Sequence, residues 1–407
     1  MQEPVAPELP RAWEQLRAAM FDNLRSAECN EVGAWSMDVL AGAFGEKWPA
    51  LAADRNADLL DATVYGAGSH LIAYAQIVEL ALRLRIFEDH VGIAAVRNQL
   101  RRDLRFEAWH HARLQLEVAA LAVACGHSIS LEPRLDRSRP PADVSLAVGQ
   151  SDLIRVETFA LFLDEQMRSD MDYDDAVGQS VMMIKVRHDV SVVGDLPARL
   201  RDEATREFLS NLDGAAARIA QTQTAEAFTS HGCQVHISPG FMTEDGESLN
   251  GPLHERNPWP RFDAPFLEKA DQAARAGAGW LRVDVLDGLW QFTDFATWQL
   301  PKKAAFLRQY VHNLLGSSML DGVVISSGAG MGSADTQSAR GPDGTCGLRR
   351  SVQPARARET MILPLSALGQ AQVGTWHQLY DCEPLWLPNA ISHAGLPDVA
   401  EIGRPSA

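Results

Sequence analysis

Residues 139–160 read RPPADVSLAVGQSDLIRVETFA: two runs of alternating apolar and polar residues, joined by a turn, with an acid near each end. Pairing Val144 with Val156 and Leu146 with Ile154 gives one wholly apolar face, as a sheet laid on a core requires. A slip of one residue would mix apolar and charged side chains on both faces, which strand pairing resists. The same register sets Asp143 opposite Glu157 on the other face, with Cβ atoms about 4.5–5.5 Å apart. Like charges so placed repel and need a reason. A hard divalent cation held by carboxylate oxygens from both strands is one answer. A neighbouring arginine, Arg155 or Arg139, or open water is another.

Upstream of this hairpin, a helical pattern runs from about Val96 to Cys125, with Gly126 placed as a C′ residue would be. The period then changes from 3.6 to 2, and HSISLEP is the first short strand before the hairpin. Residues 11 to about 95 carry apolar residues at spacings of three and four and read as helices throughout. Downstream, 164–251 reads as a strand pair around MMIKVRHDVSVVG, a helix over ARLRDEATREFLSNLDGAAARIAQTQTAEAF and a strand CQVHIS. From Ala264 an α/β alternation resumes: helix APFLEKADQAARAG, strand WLRVDV, helix PKKAAFLRQYVHNLLGS, strand DGVVISS, a long polar loop, and strand TMILPLS.

A long helix with an inward acid, a strand, then P-x-D opening a hairpin whose second strand ends in an acid resembles the PD-(D/E)XK nuclease superfamily. The matching stretch is residues 106–160, in which PPAD, with one extra residue before Asp143, stands for the P-D element and VETF for the (D/E)-X-K element. The resemblance implies an α/β chain with a restriction-endonuclease-like mixed-sheet core. In that reading residues 1–95 form a helical N-terminal domain, 96–163 and 262–395 the two parts of the core, 164–261 an insertion and 396–407 a tail. It also implies that Asp143 and Glu157 ligate Mg²⁺ or Mn²⁺, and that Glu117 is the helix acid completing the site. The departure is Phe159, which stands where the superfamily carries its lysine and shares a strand face with Glu157. Some members carry that lysine on the following helix, which here offers Lys269 and, one turn on, Gln272. Lys185 is a second candidate for the same role.

Two functional readings follow. One is a divalent-metal-dependent nuclease in which Lys269 orients water and Arg349, Arg350, Arg356 and Arg358 meet a nucleic-acid backbone. The other is a catalytically inactive nuclease fold kept as a binding or assembly module with a protein partner. Phe159 and the net charge of −16 favour the module; the opposed acids and Glu117 favour the enzyme.

Composition bounds both readings. With 407 residues, 46% of them hydrophobic, the chain can build more than one sizeable core. The negative balance argues against a large nonspecific nucleic-acid surface. Five scattered cysteines without a C-x-x-C pair exclude a zinc ribbon and point to a reducing cytoplasm. The opening MQEPVAPELP lacks the basic and apolar regions of a signal peptide. LIAYAQIVELALRLRIF is interrupted by Glu79, Arg83 and Arg85, so no membrane partner is expected.

Other clusters carry less. Glu107-x-x-His110 has the spacing of carboxylate-bridged di-iron helices, but no second copy exists. His231, Cys233 and His236 do not converge if the segment is a strand. Gly328, Gly330 and Gly332 follow a strand, but no helix follows them to meet a phosphate.

Overall fold

The computed structural model describes residues 10–21, 26–55, 70–104, 106–133, 138, 140–149, 152–161, 165–196, 199–240, 249–250, 259–285, 298–316, 320–327, 335–341, 344–351 and 358–399. The chain divides into two compact units, Met1–Phe162 with Pro258–Ala407, and Leu163–Asn257.

The first unit is built on an eight-stranded mixed sheet in the order β1-β2-β3-β8-β9-β12-β11-β10. These strands are β1 (Ser128–Leu131), β2 (Val144–Val148), β3 (Asp152–Leu161), β8 (Trp280–Val285), β9 (Gly322–Ser327), β10 (Asp335–Arg340), β11 (Cys346–Ser351) and β12 (Arg358–Pro364). The three central strands β3, β8 and β9 run parallel, and antiparallel strands flank them on both sides. Central strands are buried on both faces, and β8 buries Trp280, Leu281, Val283 and Val285 while β9 buries Val323, Val324 and Ile325.

The β2–β3 register is the one the alternation dictates: Val144 opposes Val156 and Leu146 opposes Ile154. Those four side chains enter one core cluster with Trp280, Val324 and Ile362. That face is covered by α2 (Ala27–Phe44), α4 (His70–Ile86), α6 (Phe106–Ala124) and α11 (Ala367–His393). Leu161, Leu281, Val283, Val323 and Ile325 point the other way, into a second cluster beneath α9 (Trp259–Ala276) and α10 (Leu300–Leu315). Each fully buried aliphatic side chain contributes about 1.5–3 kcal/mol, and the alternation along the strands divides that between the two layers.

Helix α6 forms because Trp109, Ala112, Leu116, Ala119 and Ala120 recur at helical spacing and are all buried. Gly126 ends it in the left-handed region (φ 80°), and His127 N–H reaches back to Ala122 O at 2.9 Å, the longer closing bond of a glycine-terminated helix. Ahead of it lie α1 (Trp13–Phe21), α3 (Trp48–Arg55) and α5 (Ile93–Arg102), where the Trp13 and Trp48 rings stack at 5.6 Å. The N-terminal helices share one core cluster with the sheet. The aromatic C-terminal stretch is accounted for by packing in α11: Trp376, Tyr380 and Trp386 are buried, and Trp376 lies 5.3 Å from Trp280.

The second unit has its own core and a four-stranded sheet, β5-β6-β4-β7. Its elements are α7 (Glu165–His188), β4 (Val190–Asp195), α8 (Asp202–Thr222), β5 (Glu226–Ser230), β6 (Cys233–Pro239) and β7 (Leu249–Asn250).

Four expectations change. MMIKVRH ends a helix rather than forming a strand, because the buried residues are Val177, Val181 and Ile184 while Met182, Met183 and Val186 face outward. The helix expected to run through Phe228 stops at Thr222, where Gln223 turns left-handed (φ 55°), and Glu226–Ser230 pairs as β5. The polar segment after β9 contains the β10–β11 hairpin. Asp143 stands one residue before β2 rather than within it. Among the described residues no helix is long and apolar enough to cross a membrane.

Candidate functional site

The acids at the two ends of the hairpin meet where β3 leaves β2 and passes beneath α9. Asp143 is fixed by three donors. Thr158 gives its N–H (2.6 Å) and its hydroxyl (2.8 Å) to Oδ2, and His111 Nε2 lies 3.3 Å from Oδ1. The backbone of Asp143 is held as well. Its carbonyl accepts from Gln115 Nε2 at 2.7 Å and from Glu132 N–H at 3.0 Å. Gln115 also donates to Glu132 Oε1 at 3.0 Å. Glu132 is one of few non-glycine residues in the left-handed region (φ 51°), a conformation that persists only when surrounding bonds over-determine it.

Glu157 is 1% exposed. Its Oε1 accepts a hydrogen bond from Gln272 Nε2, while among the described residues its buried Oε2 has no hydrogen-bond partner. Lys269 Nζ donates to Gln272 Oε1 at 2.9 Å, so a donor chain runs from the ammonium through the amide to the carboxylate. Residues three apart on a helix are surface neighbours. Phe262, Phe266, Ala270 and Ala273 form the buried stripe of α9, and Lys269 and Gln272 lie along one edge of it, beside β3.

Electrostatics separates the two acids. Burial and the neighbouring Asp143 charge push Glu157 up to about 9, against the pull of Lys269. Burial would raise Asp143 too, but the His111 charge and the bonds from His111 and Thr158 outweigh it and hold its carboxyl below the usual range. Burial alone would lower the His111 pKa, but the Asp143 charge and hydrogen bond reverse this and raise it. At neutral pH the pair therefore carries one proton, on Glu157, as two carboxyls sharing a site must.

The structure brings Asp143, Glu157 and Lys269 together. Glu117 is taken up elsewhere: its Oε1 lies 3.3 Å from Arg282 Nη2, a fully buried guanidinium that also stands 3.7 Å from Asp284. The reason is helical phase. Six residues separate His111 from Glu117, so their side chains leave α6 in directions about 120° apart. Phe159 packs against the cluster beneath α9 and α10. Lys185 is buried in α7 of the second unit.

Arg349 and Arg350 lie on β11 and Arg358 begins β12, but these three side chains and all of Arg356 lie outside the described residues. So do Gly328, Gly330, Gly332 and the side chain of Glu107. His110 packs edge-on against Trp109, and burial with the Arg113 charge holds it well below its usual pKa. His231 pairs with Glu207 at 3.2 Å, while Cys233 is buried.

His111, Gln115, Glu132 and Thr158 were not singled out from sequence. The signal was a histidine and a glutamine four apart on α6, His111 and Gln115, which fall one residue past the Glu107-x-x-His110 spacing.

Among the described residues no three His, Cys, Asp or Glu side chains converge to hold a metal by themselves. Magnesium-type ions, however, commonly take one or two carboxylates and keep several waters. The buried, unpartnered Oε2 of Glu157 beside the ionised Asp143 suits that demand. No protein-family model, curated protein or solved structure matches the chain.

Proposed function

We propose that the first unit carries a restriction-endonuclease-like core and acts as a divalent-metal-dependent phosphodiesterase on nucleic acid. The observation that carries this reading is the juxtaposition of the proton-sharing pair Asp143 and Glu157 with the Lys269–Gln272 chain. The order α6, β1, β2, β3, α9, β8 around that pair supports it: an acid-bearing antiparallel meander, then a helix and a parallel strand.

Asp143 and Glu157 would hold Mg²⁺ or Mn²⁺, which supplies Lewis-acid stabilisation of charge on a phosphodiester. The chain's own groups do the rest. Thr158 and His111 fix the Asp143 carboxylate, so that it needs no reorganisation during reaction. Glu157 would have to give up its proton to serve as a ligand. Lys269 stands where the lysine of the strand motif is missing, and its ammonium orients the attacking water.

Substrate contact is supported on the same unit. Lys47, Arg101 and Arg102 line a cleft of about 510 Å³ together with Glu46, Phe44, Trp48, Leu51 and Leu104. Among the described residues none of these three cations has an ion-pair partner. Arg102 ends α5 just before α6, the helix that carries His111.

The second reading, a binding module without activity, is favoured by one observation: Phe159, at the strand position of the lysine, is a partly buried apolar ring packed against the core. Cleavage separates the two. The parent should nick single- or double-stranded DNA or RNA in Mn²⁺, and Asp143→Asn, Glu157→Gln and Lys269→Ala should each lower turnover by orders of magnitude while remaining folded. A folded parent inert on all four substrates would leave the module.

A further inference from the structure

Cys125 and Cys382 lie 257 positions apart in the chain, yet their sulfurs are 3.1 Å from each other. Cys125 sits in the turn immediately after α6, and Cys382 lies midway along α11. Both are partly exposed, whereas Cys29, Cys233 and Cys346 are buried. The Cys125 thiol also reaches the Gln378 carbonyl, one turn before Cys382, at 3.5 Å. A disulfide needs its sulfurs about 2.05 Å apart, so about 1 Å of approach closes the bond. A cysteine in a turn can supply that by side-chain rotation.

We propose that Cys125 and Cys382 are a reversible disulfide-forming site, oxidised by a low-molecular-weight disulfide such as oxidised glutathione. The single Cys125 S–H lies within reach of both the Gln378 carbonyl and Cys382 Sγ, which holds Cys125 as a thiol and leaves Cys382 as the first nucleophile. Its thiolate attacks one sulfur of the small disulfide. That S–S bond breaks, one small thiolate leaves and takes a proton from solvent, and a mixed disulfide remains on Cys382. Cys125 then loses its proton and attacks Cys382 Sγ, releasing the second small thiol. Two protein thiols are oxidised and one small disulfide is reduced to two thiols.

The first step cannot fall to Cys125. Burial and the neighbouring Cys382 and Asp381 push its thiol up to about 12, so it keeps its proton until the mixed disulfide stands beside it. The bond joins the C-terminal end of the helix that supplies His111 and Gln115 to α11, whose Trp376 packs on Trp280 of the central sheet. The proposal does not depend on the nuclease reading.

The test treats the folded full-length chain with oxidised glutathione, blocks remaining thiols with N-ethylmaleimide, and maps peptides without reduction. The expected product links the Cys125 peptide to the Cys382 peptide with loss of two hydrogens and is reversed by dithiothreitol. In Cys125→Ser a glutathione adduct should instead persist on Cys382. A lasting adduct on Cys382 in the parent, with Cys125 still open to N-ethylmaleimide, would show that the sulfurs cannot meet and would overturn the proposal. An unreacted Cys382 in Cys125→Ser would contradict it equally.

Discussion

Lys269 and Phe159 face each other across the gap between α9 and β3, the ammonium 6.0 Å from the ring centroid. A cation over an aromatic face gains about 0.5–1 kcal/mol at exposed sites. The Phe159 ring thus supports the Lys269 ammonium from the strand side. Phe159 is a platform for Lys269, and Gln272 relays from that ammonium to Glu157.

This relationship predicts a rescue. Lys269→Ala should abolish Mn²⁺-dependent cleavage, and adding Phe159→Lys to it should restore part of the lost turnover. The new side chain enters from the strand, on the same face as Glu157. A folded double variant no more active than Lys269→Ala would mean that the cation acts only from the helix position.

The shared proton gives a stability signature. Glu157, raised to about 9 from its ordinary value of 4.5, binds its proton more tightly folded than unfolded. Stability is therefore lost progressively as pH rises between those two values. In metal-free buffer Glu157→Gln should be more stable than the parent, with a margin that grows from about pH 5 to about pH 9. Chemical denaturation of both proteins across that range checks it. A margin independent of pH would mean that Glu157 is not held protonated.

His111 and Asp143 should show the complementary window. His111 is raised above its ordinary value of 6.5, so its contribution is complete below that pH and is lost as pH rises through the folded value. Asp143 is lowered from 3.8, so its contribution is present above that value and is lost as pH falls through the folded one. His111→Gln should cost about 1–3 kcal/mol between those limits and less in alkaline buffer. Equal losses in mildly acidic and alkaline solution would argue that the imidazole acts by packing alone.

Glu117 is predicted to matter for stability and not for metal binding. Removing its charge leaves the fully buried Arg282 guanidinium beside the Asp284 carboxylate at 3.7 Å. Breaking a buried pair costs about 3–5 kcal/mol, and Asp284 should keep Glu117→Gln toward the lower figure. Its melting response to Mn²⁺ should match that of the parent. Loss of that response would restore Glu117 to the site.

Much of this was legible in the sequence because burial imposes periodicity. Val144, Leu146, Ile154 and Val156 set the hairpin register, and WLRVDV is a strand because both its faces are covered. Where exposure breaks that link, reading failed. Met182, Met183 and Val186 are apolar but face outward, and they disguised a helix as a strand. The β10–β11 hairpin pairs Thr336 with Arg350 and Gln337 with Arg349, so no apolar alternation announces it. The acids and Lys269 were visible as residue types, but the partners that set their charge states were not. Thr158 acts through its backbone N–H as well as its hydroxyl, and Glu132 through a left-handed turn, neither of which composition encodes.

The central claim is that Asp143 and Glu157 exchange their shared proton for a divalent cation. Calorimetric titration of the metal-free protein with Mn²⁺ near pH 7.5, in two buffers of different ionisation enthalpy, measures the protons released on binding. The account predicts saturable binding with close to one proton released per ion, since Glu157 must ionise to accept the cation, and no such binding in Asp143→Asn. Binding without proton release, the same isotherm in Asp143→Asn, or no binding at millimolar Mn²⁺ would contradict it.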